Sequence, residues 1–128
     1  MTLRIVRLGT ARLPDEGTRI GTVRRPPRGV PKTQFASGNW YDVWFPLLAP
    51  SVETMKRGQA AATDKDWAAF VRQYKAEMAQ PEAEQALNLL AALSHGANLS
   101  VGCYCEHEAR CHRSVLRQLL QDRGADLQ

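Results

Sequence analysis

The chain is poor in several of the features that usually announce a function. No apolar run approaches the roughly 20 residues a membrane helix needs, so neither a helical span nor a membrane partner is expected. The amino end lacks the charged start, apolar stretch and small-residue cleavage site of a secretory leader, and a cytoplasmic location is the expectation. There are only three cysteines. An odd count cannot close a complete disulfide framework, and it fits a reducing compartment better. Internal repeats and low-complexity linkers are missing. So are a glycine-rich phosphate loop, a pair of carboxylates spaced for acid–base work and a Ser/His/Asp set in sequence. One absence is local: no acid occurs between Glu16 and Asp42.

What is present describes an ordinary globular chain. With 128 residues and a hydrophobic fraction of 44%, residues 1–128 are expected to form a single domain with a core of its own. The net charge of +4 permits contact with phosphate or nucleic acid without demanding it. The acid-free span carries Arg19, Arg24, Arg25, Arg28 and Lys32, centred on "TVRRPPRGVPK". It reads either as a solvated, proline-interrupted loop or as an anion-binding loop whose guanidinium forks suit phosphate or carboxylate.

Periodicity predicts alternating strands and helices. "LRIVRLGT" (3–10) and "TRIGTVRR" (18–25) read as strands, and "NLSVGCYC" (98–105) as a third. Between the second and third lies an aromatic cluster of Phe35, Trp40, Tyr41, Trp44 and Phe45, expected as core or packed lid rather than a base-stacking platform. A short helix is expected from Ser51 as N-cap to Gly58 as exit. A longer one starts at Thr63, its "TDKD" resembling a capping box, with Trp67, Phe70, Val71, Tyr74 and Met78 on one face. Pro81 opens another, burying Ala83, Ala86, Leu87, Leu90 and Leu93; His95 near its end is expected at the helix terminus or in solvent. "CHRSVLRQLLQDRG" (111–124) is the last helix, with Val115, Leu116, Leu119 and Leu120 inward and Gly124 as stop. The fold class is therefore α/β, a small mixed or parallel sheet flanked by helices.

"CYCEHEARCHRS" (103–114) holds every cysteine and two of the three histidines, at a strand end, a five-residue connection and a helix start. Strand carboxyl ends and helix amino ends are where α/β folds collect ligands, anions above all. Four readings compete. A metal site would use Cys103, Cys105, Cys111 and either His107 or His112 for zinc or an iron–sulfur cluster, although C-x-C-x5-C-H is not a paired knuckle. A reactive thiol would make Cys111 the nucleophile, its pKa lowered at the helix start, with His112 or His107 as base and Cys105 as resolving thiol. An anion pocket would use the helix start with Arg113, Arg25 and Arg28, while Glu106 and Glu108 orient His112 or Arg113. Buried cysteines packing as small hydrophobes complete the set.

These residues also carry a resemblance. "CYC", five residues and "CHRSVLRQLL" resemble the signature of the YeaO-like family of domains of unknown function (DUF488), in its branch with a C-x-C-x5-C-H-R corner. "RRPPRGV", "LLAPS" and "FVRQYKAEM" are similar to other family segments, with Pro26 standing where the family has tryptophan. The resemblance covers nearly the whole chain. It implies a small bacterial α/β protein without an established activity, and carries Cys103, Cys105, Cys111, His112 and Arg113 over as motif positions. It favours an actual site over incidental packing. The expectation is one pocket for a nucleotide, a nucleic-acid phosphate or a small acidic metabolite. Arg113 and Arg28 neutralise charge there, His112 relays a proton and Cys111 offers a polarised thiol. A zinc, iron–sulfur or thiol-redox protein and a nucleic-acid module are the alternatives. Whether the pocket catalyses anything stays open.

Overall fold

The computed structural model describes residues 1–128. Four strands, β1 (Leu3–Arg7), β2 (Thr18–Gly21), β3 (Val43–Trp44) and β4 (Leu99–Cys103), alternate with four helices, α1 (Val52–Ala60), α2 (Asp64–Met78), α3 (Pro81–Leu93) and α4 (His112–Asp122). The sheet order is β1-β4-β2-β3 and every pairing is parallel. The chain is thus a single small α/β domain. β4, last in sequence, fills the middle of the sheet, with Arg7 opposite Cys103 on one side and Gly21 opposite Gly102 on the other. No helix is long and apolar enough to cross a membrane.

Alternation assigns the two faces of the sheet. Leu3, Leu99 and Val101 meet the helical layer, where Phe70, Tyr74 and Met78 of α2, Ala83, Leu87 and Leu90 of α3, and Val115, Leu116 and Leu120 of α4 complete the main core. Each large apolar side chain buried there contributes about 1.5–3 kcal/mol. The opposite face carries Ser100 and Arg19 and is closed by loops. Arg19 and Glu16 are fully buried and bonded through both carboxylate oxygens at 2.7 and 2.9 Å. Ser100 donates to the same carboxylate at 2.8 Å, and Arg19 also reaches the carbonyls of Thr10 and Asn39 at 2.9 and 2.7 Å. One ion pair therefore ties the β1–β2 and β2–β3 connections to the sheet. A side chain at Gly102 has no room here, since its Cβ would lie 2.6 Å from the Val6 carbonyl oxygen.

Several sequence expectations shift at their edges. Strands expected over 3–10, 18–25 and 98–105 are shorter, because their last residues turn away to build loops. The caps are as expected: Ser51 accepts from the Thr54 N–H, and Thr63 from that of Asp66. Gly58 does not end α1. It sits inside the helix, where the lack of a side chain admits the Phe70 ring to 2.8 Å from its Cβ position. Leu93, expected inside, is 45% exposed, and the buried stripe of α3 runs instead through Ala91 to Ser94. β3 was not anticipated. It lies within the aromatic cluster, of which Tyr41 is buried, Phe35, Trp40 and Phe45 are half-buried, and Trp44 stays exposed while donating its indole N–H to Val23 O at 2.8 Å.

Candidate functional site

A cleft of about 800 Å³ opens at the carboxyl ends of β1, β2 and β4. That is where parallel sheets expose free backbone and loops, and the volume suits a small-molecule ligand. Arg7 ends β1 on one wall; Arg24, Arg25 and Arg28 follow β2; Arg110 precedes α4. No acidic residue lines the cleft. Arg24 donates to the carbonyls of Pro50 and Ala49, and Arg7 to that of Tyr104. Arg110 is paired with Asp64 at 2.6 Å. Arg25 and Arg28 are exposed, with no side-chain bond to any group. The walls add Trp40 and Tyr104, which meet edge to face, and Trp67 and Phe70, which stack at 4.6 Å.

The floor is the thiol corner. Cys103 is the buried last residue of β4, in register with Arg7. Cys111 is the N-cap of α4, its sulfur accepting the Arg113 N–H at 3.5 Å. His112 opens the helix with its ring buried against Tyr74. Its Nε2 lies 2.8 Å from the Thr22 carbonyl, which only accepts, so Nε2 carries the proton and donates. Nδ1 then keeps its lone pair and faces Cys111 Sγ at 3.8 Å. The sulfurs of Cys103 and Cys111 and a ring nitrogen of His112 lie within 4.8 Å of one another. Cys105 is exposed to the cleft and neighbours both other thiols.

Behind the sulfurs lies Arg113, 4% exposed. Its terminal nitrogen donates to Cys105 O at 2.6 Å, while Nε has no partner. No carboxylate pairs with it; Glu108, the acid whose charge it feels, is bonded to Arg117 at 2.7 and 3.0 Å. A buried guanidinium without a counter-charge is costly, and the groups packed around it are thiols. The titration behaviour follows. Cys105 is held well below the ordinary thiol range, chiefly by the Cys103 and then the Cys111 thiol acting as donors, which outweigh burial, with the Arg113 charge adding to them. Cys103 is driven up because it supplies those protons. Cys111 is drawn down by the Cys103 thiol, but its own donation to Cys105 and its burial outweigh that and push it up to about 11. Burial holds His112 below the usual imidazole range, so it stays neutral. Burial also opposes the charge on Arg113, yet the sulfurs hold its pKa up.

The sequence candidates are thus brought together unevenly. Cys105, Cys111, His112, Arg25 and Arg28 all line one cleft, with Cys103 directly beneath. Arg113, expected to reach a bound anion, does not line the cleft; it is buried and donates to Cys105 O. Cys111, expected to be the low-pKa thiol at the helix start, is the raised one; burial and donation to Cys105 outweigh the helix terminus. His107 is exposed and stands outside the sulfur group. Glu106 is exposed, and Glu108 serves Arg117 rather than His112 or Arg113. His95 is exposed, its Nε2 2.7 Å from Gly124 O. Arg24 belongs to the basic span the sequence singled out; Arg7 and Arg110 were not anticipated and join the cleft only through the folded chain.

Neither a curated protein nor a solved structure matches the chain. A family model does, described as the active DUF488-N3 subclade (DUF488-N3a), and it aligns with residues 3–124, from the start of β1 to the turn that ends α4. With that span matched, the chain belongs to the DUF488 family.

Proposed function

We propose that the chain recognises a small anionic ligand, a nucleotide, phosphate ester or acidic metabolite, in the cleft at the strand carboxyl ends. The observation that carries this reading is the charge of the lining: five arginines and no acid, with Arg25 and Arg28 free of any internal partner. Unpaired guanidinium groups converging on a concave surface lower the free energy of an anion through charge-assisted, forked hydrogen bonds. The aromatic walls give a planar apolar body somewhere to lie, which favours an anion attached to a ring over a bare phosphate. Cys105, Cys111 and His112 face the bound molecule from the floor, and Arg113 acts on them rather than on the ligand.

Calorimetry at low salt with AMP, adenosine, pyrophosphate and inorganic phosphate tests the reading. AMP should bind more tightly than adenosine, and added salt should weaken it. A charge-assisted bond is worth about 1.5–3 kcal/mol. Discounted for an exposed rim, Arg25→Ala and Arg28→Ala should each weaken binding about tenfold, close to 1.4 kcal/mol. The proposal fails if no probe binds at millimolar concentration, or if the double variant binds as the native chain does.

A further inference from the structure

We propose that Cys103, Cys111 and His112, with Cys105 completing the set from the cleft side, form a site for a thiophilic divalent metal ion, zinc by coordination preference. This goes beyond anion recognition, which rests on the rim arginines. The first argument is distance. Two sulfurs and a nitrogen lie within 4.8 Å of one another, close enough that a small inward turn of the side chains brings all three to zinc–ligand separations of about 2.3 Å for sulfur and 2.0 Å for nitrogen. The second is the histidine tautomer. Metal-bound histidines characteristically donate their other ring N–H to a carbonyl or carboxylate. His112 does this through Nε2 to Thr22 O, which leaves the Nδ1 lone pair on the side of Cys111 Sγ.

The third argument is independent of the donor atoms. Arg113 is a buried cation with an unpartnered Nε and no carboxylate in contact, its backbone N–H donating to Cys111 Sγ at 3.5 Å and its side chain to Cys105 O at 2.6 Å. A divalent ion bound by three thiolates and a neutral imidazole carries one net negative charge, which this guanidinium balances. Each coordinated thiol releases its proton to solvent, and no redox step is involved. Three of the four ligands come from rigid pieces, the end of the central strand and the cap and first residue of α4, which suits a site largely held ready rather than assembled by the ion.

The test uses the reduced full-length chain, stripped with a chelator and titrated with Zn²⁺ and Co²⁺. About one ion per chain, a sulfur-to-cobalt charge-transfer band and a zinc-dependent rise in Tm are expected. Cys111→Ser should weaken binding by more than about 100-fold, and the outlying Arg113→Gln by about 10- to 100-fold. Because a serine at the buried Cys111 threatens folding, the exposed Cys105→Ser serves as second variant, with at least about tenfold weaker binding and a reduced band. A folded native chain that takes up neither ion at micromolar concentration overturns the proposal. So does stoichiometric binding that Cys105→Ser and Cys111→Ser leave unchanged. Arg25→Ala/Arg28→Ala should bind metal as the native chain does, so loss of metal binding and loss of anion binding are separable failures.

Discussion

Replacing Arg113 by methionine converts the charge state of the thiol corner into a measurable sign. The methionine keeps most of the buried stem volume and removes the cation. If the sulfurs were all neutral, the native protein would be holding an uncompensated guanidinium, 4% exposed and with Nε unsatisfied. Exchanging such an unpaired charge for a well-packed apolar group stabilises a protein, because the cost of keeping it dehydrated disappears. If one negative charge resides on the sulfurs, as a thiolate or a metal–thiolate group, the exchange orphans it and costs about 3–5 kcal/mol. The two cases differ in sign. The proximity of Arg113 to Cys103, Cys105 and Cys111, and the engagement of Glu108 by Arg117, select the second. Urea unfolding in reducing buffer, with zinc and with chelator, should show the methionine variant less stable in both. For a chain of this size the expected fall in Tm is about 10–20 °C, at roughly 3–5 °C per kcal/mol. A variant as stable as the native chain in both buffers refutes the argument that the sulfurs carry charge.

Two further predictions concern the frame that holds the cleft. Glu16→Gln should destabilise by about 3–5 kcal/mol in urea unfolding at neutral pH, because it leaves Arg19 buried without its counter-charge. Burial pushes the Glu16 carboxyl up, but bonds from Arg19 and Ser100 outweigh it and hold it below the usual range. Its contribution is therefore complete above the unfolded carboxylate value of about 4.3 and drains away as pH falls through the lower folded value. The native urea midpoint should drop over that acid window, and the glutamine variant's should drop less. Gly58→Ala should lower Tm although alanine favours helices by about 1 kcal/mol, because the new methyl meets the buried Phe70 ring at 2.8 Å and overpacking costs about 1–3 kcal/mol. A raised Tm in that variant would show that α1 moves off α2 freely.

Much of the architecture is a local matter and was legible in the chain. Serine and threonine caps, Pro81 at a helix start and the spacing of Phe70, Tyr74 and Met78 act within a turn or two, so α1, α2 and α3 start where their residues say. The thiol corner was legible for the same reason: Cys103, Cys105, Cys111 and His112 lie within ten residues, and a strand end followed by a helix start brings them together whatever surrounds them. The rest depends on partners distant in sequence. That β4 inserts between β1 and β2 is a matter of pairing between residues such as Leu3 and Leu99 or Thr18 and Leu99, far apart in the chain, which no local pattern encodes. That pairing sets Arg7, Arg24 and Arg25 around one cleft and turns Thr22 O toward His112. It also buries Arg113 outside the cleft lining, bonded to Cys105 O. Local spacing determines which groups travel together along the chain; the packed sheet decides which of them face solvent, which lose their water, and which charge each must balance.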